Sequence, residues 1–384
     1  MSHPLNAMRF LAWLVITCSL CGLVELKAQD PSFSQFYANR VYLNPAFVGL
    51  ESGITLSATS RMQWLAADRG FRTSNFAVET QLPYARLGLG LHLLSDTEGI
   101  AKLRTRSAGA VLSYTIPGKN SNLHFGFEAR MVQKDIDWDK LVFSDQLDAM
   151  DGVISESSVV PAVEKVSYGD LDFGVVWRRV GDWQLGKNKW RDVRSQFGIS
   201  LHHLPHLISK TAQGNDSFLN RETRIAPRVT FHGGLIIPVR SFRGSGLDLA
   251  VSPNFKLDMQ GYKFLNSKEN ITVGTLGMYT LINNYYLGLL YQNRQFAPNL
   301  IHTDAWIITL GGYTAAGARA KSGDDPRLFF GISVDLNSTG VGPMAGSVFE
   351  ATIRYRLVPE GLWGTNRQRS GRSNKRILDC KSFF

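Results

Sequence analysis

The chain has 384 residues, 42 Lys and Arg against 32 Asp and Glu, and a formal net charge of +10. Hydrophobic residues make up 44% and charged residues only 19%, against about 25% in a typical soluble domain, which excludes a disordered chain and argues against a helical bundle. Three cysteines exclude a disulfide scaffold or a four-cysteine zinc module, and a mean hydropathy of -0.10 excludes a bundle of transmembrane helices but not a transmembrane barrel.

Arg9 precedes the apolar run Phe10–Val24, which Glu25 and Lys27 close. This reads as a secretory signal peptide over residues 1–28, cleaved near Ala28. Cleavage removes Cys18 and Cys21 and leaves Cys380 alone. Residues 29–50 carry two prolines, two asparagines and the rings of Phe33, Phe36, Tyr37, Tyr42 and Phe47. Prolines keep such a segment out of a central strand, and so many rings are costly to leave in water. It is expected to pack in or against the rest of the chain.

From Gly53 onward the chain alternates with period two. Leu87, Leu89, Leu91 and Leu93 alternate with Gly88, Gly90 and His92; Leu123, Phe125, Phe127 and Met131 alternate with His124, Gly126, Glu128 and Arg130. Leu171, Phe173, Val175 and Trp177 alternate with Asp172, Gly174 and Arg178, and Phe330, Ile332, Val334 and Leu336 with Gly331, Ser333 and Asp335. About fourteen such strands are expected, near 53–60, 74–82, 86–95, 104–116, 121–133, 170–179, 195–204, 226–239, 247–258, 270–281, 285–293, 304–314, 327–337 and 346–357. The polar faces hold Gly, Ser and Asn with sparse charges of both signs, as a crowded lumen requires. Aromatics such as Tyr285, Tyr291 and Trp306 flank the apolar faces, as interfacial girdles do. Links alternate short (83–85, 117–120, 240–246, 282–284) and long (61–73, 96–103, 134–169, 205–225, 259–269, 294–303), with 180–194 and 315–326 breaking the rhythm. The expected fold is all-β: a transmembrane antiparallel barrel over residues 51–358 of an outer membrane, against the alternatives of a propeller or double sandwich. An even strand count puts both chain ends in the periplasm. Residues 359–384 form a polar, basic tail containing Arg367, Arg369, Arg372, Lys375 and Arg376.

The opening Gln29-Asp30-Pro31-Ser32-Phe33-Ser34-Gln35-Phe36 and the following Leu43-Asn44-Pro45-Ala46-Phe47-Val48-Gly49 closely resemble the start of the PorP/SprF family, outer-membrane proteins associated with type IX secretion in Bacteroidetes. Arg61-Met62-Gln63-Trp64, Leu87–Leu91 with Asp96 and Gly99, Asp137–Leu141 with Phe143, and the terminal Cys380 are similar to further family patterns. The resemblance implies a barrel serving secretion, gliding motility or the holding of secreted adhesins at the cell surface. It implies no catalytic residues and no cofactor, with secreted surface proteins and periplasmic secretion components as partners.

The residues themselves carry no Gly-x-Ser-x-Gly elbow, no His-Glu-x-x-His and no phosphate loop, so a barrel hydrolase is disfavoured. His202, His203 and His206 read as strand-end histidines at a loop mouth rather than a metal site. Asp135, Asp137 and Asp139 mimic a calcium loop whose glycine and final glutamate are missing. No compact basic stripe marks a nucleic-acid surface. Trp138, Leu141, Phe143 and Phe218, apolar among charges in two long links, are candidate partner anchors, and the tail cations a candidate periplasmic contact. The alternative function is a passive outer-membrane channel or transporter for small hydrophobic molecules.

Overall fold

In the computed structural model the described residues are 30–51, 53–64, 70–82, 85–99, 101–148, 150, 152–153, 164–185, 188–205, 225–242, 247–261, 270–296, 301–314, 328–338 and 346–357. Residues 1–29, with the expected signal peptide, His206, Phe218 and residues 358–384 lie outside them. Pro31–Phe384 forms one compact unit.

The strands are β1 (Ile54–Gln63), β2 (Phe71–Leu82), β3 (Leu87–Glu98), β4 (Leu103–Pro117), β5 (Ser121–Asp135), β6 (Leu147–Asp148), β7 (Gly152–Val153), β8 (Lys165–Leu185), β9 (Asn188–His202), β10 (Arg228–Phe242), β11 (Leu247–Gln260), β12 (Ile271–Ile282), β13 (Tyr285–Phe296), β14 (Ile301–Thr314), β15 (Leu328–Asn337) and β16 (Val348–Leu357). β6 and β7 pair only with each other, in the link between β5 and β8. The other fourteen form one closed antiparallel barrel, in which β1 meets β16 from Ile54↔Leu357 to Met62↔Phe349. Closure leaves no unpaired sheet edge around the wall. One rim, the turn rim, carries the start of β1, the end of β16 and mostly short turns, such as Asn283–Asn284. The opposite, loop rim carries the long links after β5 and β9.

Alternation sorts the wall as the period requires. Leu89, Leu91, Phe127, Leu276, Leu289 and Ile332 stand exposed on the outside, while His92, Glu128, Asp172, Thr275 and Ser333 are buried inside. An apolar exterior wrapping a closed barrel is a lipid-facing surface. Its aromatics include Trp177 stacked on Phe197 at 6.1 Å and Tyr291 against Trp306 at 5.2 Å.

The structure departs from the sequence reading at residues 180–194, expected as a long link. β8 continues to Leu185 and β9 begins at Asn188, with Trp183 paired to Trp190. The register shifts between Gly181 and Trp183, and Asp192 takes a left-handed φ of 56°. Those irregularities break the two-residue period and hide the strands from a pattern search.

The core sits in the lumen. Phe36, Tyr37, Leu43, Ala46, Phe47 and Leu50 cluster with Val176, Tyr279, Tyr286, Leu290, Ile307 and Phe329 of the wall. The chain from Pro31 to Leu50 therefore fills the barrel.

Candidate functional site

The filled lumen is where this chain concentrates its buried polar chemistry. The filling segment has little regular structure: one helical turn, Arg40–Leu43, and one 3-10 turn, Pro45–Phe47. Asn44 separates them. Its Oδ1 accepts from the Ala46 N–H at 2.9 Å, which caps the second turn, and Pro45 at the first turn position has no N–H to leave unsatisfied. Its Nδ2 donates to the Ile199 carbonyl at 3.0 Å and the Val175 carbonyl at 3.3 Å. One asparagine thus shapes the segment and fixes it to β8 and β9.

Other anchors come from charges on the strands. Glu350 accepts the Ser34 and Gln35 backbone N–H groups at 2.8 and 2.9 Å. The Ser34 hydroxyl donates to Asp335 at 2.6 Å. Arg61, 1% exposed, bridges both carboxylates, at 2.9 Å from Asp335 and 3.3 Å from Glu350, and also donates to the Ser34 hydroxyl. Arg40 of the segment pairs with Glu51 and Glu79, each at 2.8 Å, and Glu79 also accepts the Gly49 N–H at 3.0 Å. Charged hydrogen bonds in a water-poor interior are strong when every partner is present, and removing one strands a buried charge.

Glycines on the inner wall give the segment room. A Cβ at Gly126 would overlap the Pro45–Ala46 backbone, and one at Gly88 would overlap the Val48 carbonyl. Gly49 itself sits at φ +70° against Gly88, a conformation and a closeness that favour glycine.

Asp172, His202 and Ser200 fall in a row: His202 Nδ1 lies 2.9 Å from Asp172, and His202 Nε2 lies 3.0 Å from Ser200 Oγ. These are the residue types of a hydrolase triad. Here the Ser200 hydroxyl donates to the Leu43 carbonyl at 2.8 Å and is wholly buried beneath the segment. Its proton is committed to backbone and no substrate can reach it, so the row acts as another strut. His203 likewise contacts Asp170, at 2.7 Å, and Arg130 ties Asp170 to Asp172 at 2.7 and 3.1 Å.

The site residues named from sequence lie elsewhere. Trp138, Leu141 and Phe143 sit half-buried in the link after β5, where Trp138 and Phe143 stack on each other at 6.4 Å. The Asp137 N–H donates to the Ala101 carbonyl at 2.9 Å, holding that link to the β3–β4 turn. Asp135 pairs with Arg104 at 2.8 Å and Asp137 with Lys140 at 3.4 Å, and among the described residues no group of His, Cys, Asp or Glu is arranged to hold a metal. Phe218, Arg367, Arg369, Arg372, Lys375 and Arg376 are outside the described residues. Sequence reasoning missed the more exposed apolar residues of the same link, Val142, Leu147 and Met150, the last 93% exposed. It also missed the lumen anchors Glu350, Asp335, Glu79 and Ser200, whose only signal was a charge or hydroxyl on the inward parity of a strand.

A closed antiparallel barrel with a lipid-facing exterior and no long apolar helix among its described residues is an outer-membrane β-barrel protein, here one whose lumen is filled by its own chain. The chain belongs to the PorP/SprF family of type IX secretion system membrane proteins, whose family model matches residues 25–355. No curated protein sequence matches it. Among solved structures it is similar to CdiB from Acinetobacter baumannii, at 10% identity and a TM-score of 0.38 over 79% of this chain and 60% of that one. A Pseudomonas aeruginosa FadL homologue gives 9% identity and 0.38 over 79% and 89%. The translocator domain of NalP from Neisseria meningitidis gives 11% and 0.34 over 92% and 100%. At these scores the likenesses carry no argument about function, and the chain spans under two thirds of CdiB.

Proposed function

We propose that this protein is a non-conducting outer-membrane component of type IX secretion that acts by binding other proteins, at the service of secretion, gliding motility or the retention of an adhesin at the surface. The filled lumen carries this reading: among the described residues the wall grips its own N-terminal segment from nearly every side, which disfavours a solute path and leaves the two rims as the useful surfaces. The loop rim faces outward, and the link after β5, with Trp138, Leu141 and Phe143 backed by the exposed Val142, Leu147 and Met150, offers apolar anchors to a secreted surface protein. The turn rim faces the periplasm, where the basic tail, net +4 over residues 359–384, suits acidic surfaces of periplasmic secretion components.

The test pairs two measurements. Wild-type protein in planar bilayers is expected to show no conductance; steady conductance would favour the channel alternative. Deleting 147–163 is expected to leave the barrel inserted while a surface protein is lost from co-purification in detergent. Unchanged co-purification after that deletion would count against the loop-rim assignment.

A further inference from the structure

The filling segment has a direction. At its beginning, the Ser32 hydroxyl lies 3.4 Å from Lys256, and Pro31 and Phe33 line a cleft with Arg228 and Asp258. Arg228 is the first residue of β10, and Asp258 is two residues from the end of β11, so both stand at the loop rim. Ser34 is held by Asp335 and Glu350, each two residues from the loop-rim end of its strand. Asn44 then bonds the Val175 carbonyl midway along β8 and the Ile199 carbonyl three residues from the end of β9. At the end of the segment the Val48 carbonyl accepts from Ser113 at 2.6 Å, and Gly49 packs on Gly88 and the Thr80 carbonyl. Gly88 is the second residue of β3 and Thr80 is two from the end of β2, so both stand at the turn rim, where β1 begins.

The segment therefore crosses the lumen from loop rim to turn rim. Strand parity alone places the start of β1 and the end of β16 together at the turn rim. The crossing separates what parity joins. We infer that, with Pro31 at the loop rim and Leu357 at the turn rim, the two ends of the chain leave the barrel on opposite faces of the membrane.

This fixes an order of events. A chain end can enter the barrel, or have the barrel close around it, only if it is free to reach the loop-rim side. A leader still held in the inner membrane would tether that end to the opposite side. Hydrolysis of the leader peptide bond near Ala28 must precede the seating of residues 31–50. This order rests on the loop rim facing outward, as in the proposed function.

Thiol labelling tests it, because the mature chain expected from the sequence has a single cysteine, Cys380. That cysteine reports the tail. In a Cys380→Ser background, a Gly-Ser-Cys insertion between Gln29 and Asp30 reports the amino terminus, and Ser157→Cys reports the long link after β5. Each is treated with a membrane-impermeant maleimide on intact cells and after outer-membrane permeabilisation, with heat-modifiable migration as the check on folding. The insertion and Ser157→Cys are expected to label under the same condition and Cys380 under the other. Labelling of the insertion together with Cys380 would overturn the inference. So would an insertion that abolishes folding or never labels, since an open loop-rim mouth has room for the added residues.

Discussion

Glu51 closes the filling segment, and its setting gives it a definite acid response. Burial pushes its carboxyl up, but Arg40, Arg354 and Arg356 together hold it down at about 2, from an ordinary 4.5. A carboxyl depressed on folding stabilises the native state above its unfolded pKa, and that contribution drains away as pH falls through the folded value. The window is thus from about 4.5 down to about 2. Over it the Arg40–Glu51 pair is expected to fail and the segment to loosen, read as falling hydrogen-exchange protection of the Arg40–Leu50 amides after correction for intrinsic rates. Glu51→Gln should already be loosened at neutral pH and show a flatter acid response; an unchanged profile would mean that Arg40 is held by Glu79 alone. The sequence displays Glu51 as one acid among 32. Nothing local marks it, because two of its three cations come from the far end of the chain.

Strands have two faces, and a single one separates the membrane from the filling. On β5, Phe127 is 42% exposed on the lipid side, while its neighbour Gly126 touches Pro45 and Ala46. Phe127→Arg is expected to cost roughly 2–4 kcal/mol near the bilayer midplane, measured by urea titration of the folded barrel in lipid. A cost near zero would contradict the face assignment. This level of the fold was legible: period-two alternation separates lipid-facing from inward residues at Leu87–Leu93 and Leu123–Met131 without any partner being known. It stopped being legible where β8 and β9 run past the wall, since Gly181, Asp182, Gly186 and Asn188 are turn-prone residues and the pairing there is out of step. The lumen anchors were legible only as inward charges. Which charge meets which is set by the barrel's closure: Arg61 and Asp335 are 274 residues apart in the chain.

For the molecule as a whole, the proposed function makes the filling the barrier. Deleting residues 31–50 strips Arg61, Glu79, Asp335 and Glu350 of segment partners and leaves a polar, charged lumen. Such a variant, if inserted, is expected to conduct ions in planar bilayers where wild type does not. An inserted but silent deletion would place the barrier elsewhere.

Glu350 belongs to the last strand and Ser34 to the first residues of the described chain, 316 positions earlier. The segment is synthesised first, and the Glu350 anchor that completes its seat comes with the last strand. Closing so large a loop is slow and entropically costly compared with local pairing. Until β16 is laid against β1, the Ser34 and Gln35 N–H groups lack the Glu350 carboxylate that accepts them. A half-built wall displays an aromatic-rich strand of bait, open to chaperones and periplasmic proteases; a finished one hides it. The filling is in this sense a built-in certificate of completion, since only a chain with all its staves in place can withdraw the signal that it is unfinished.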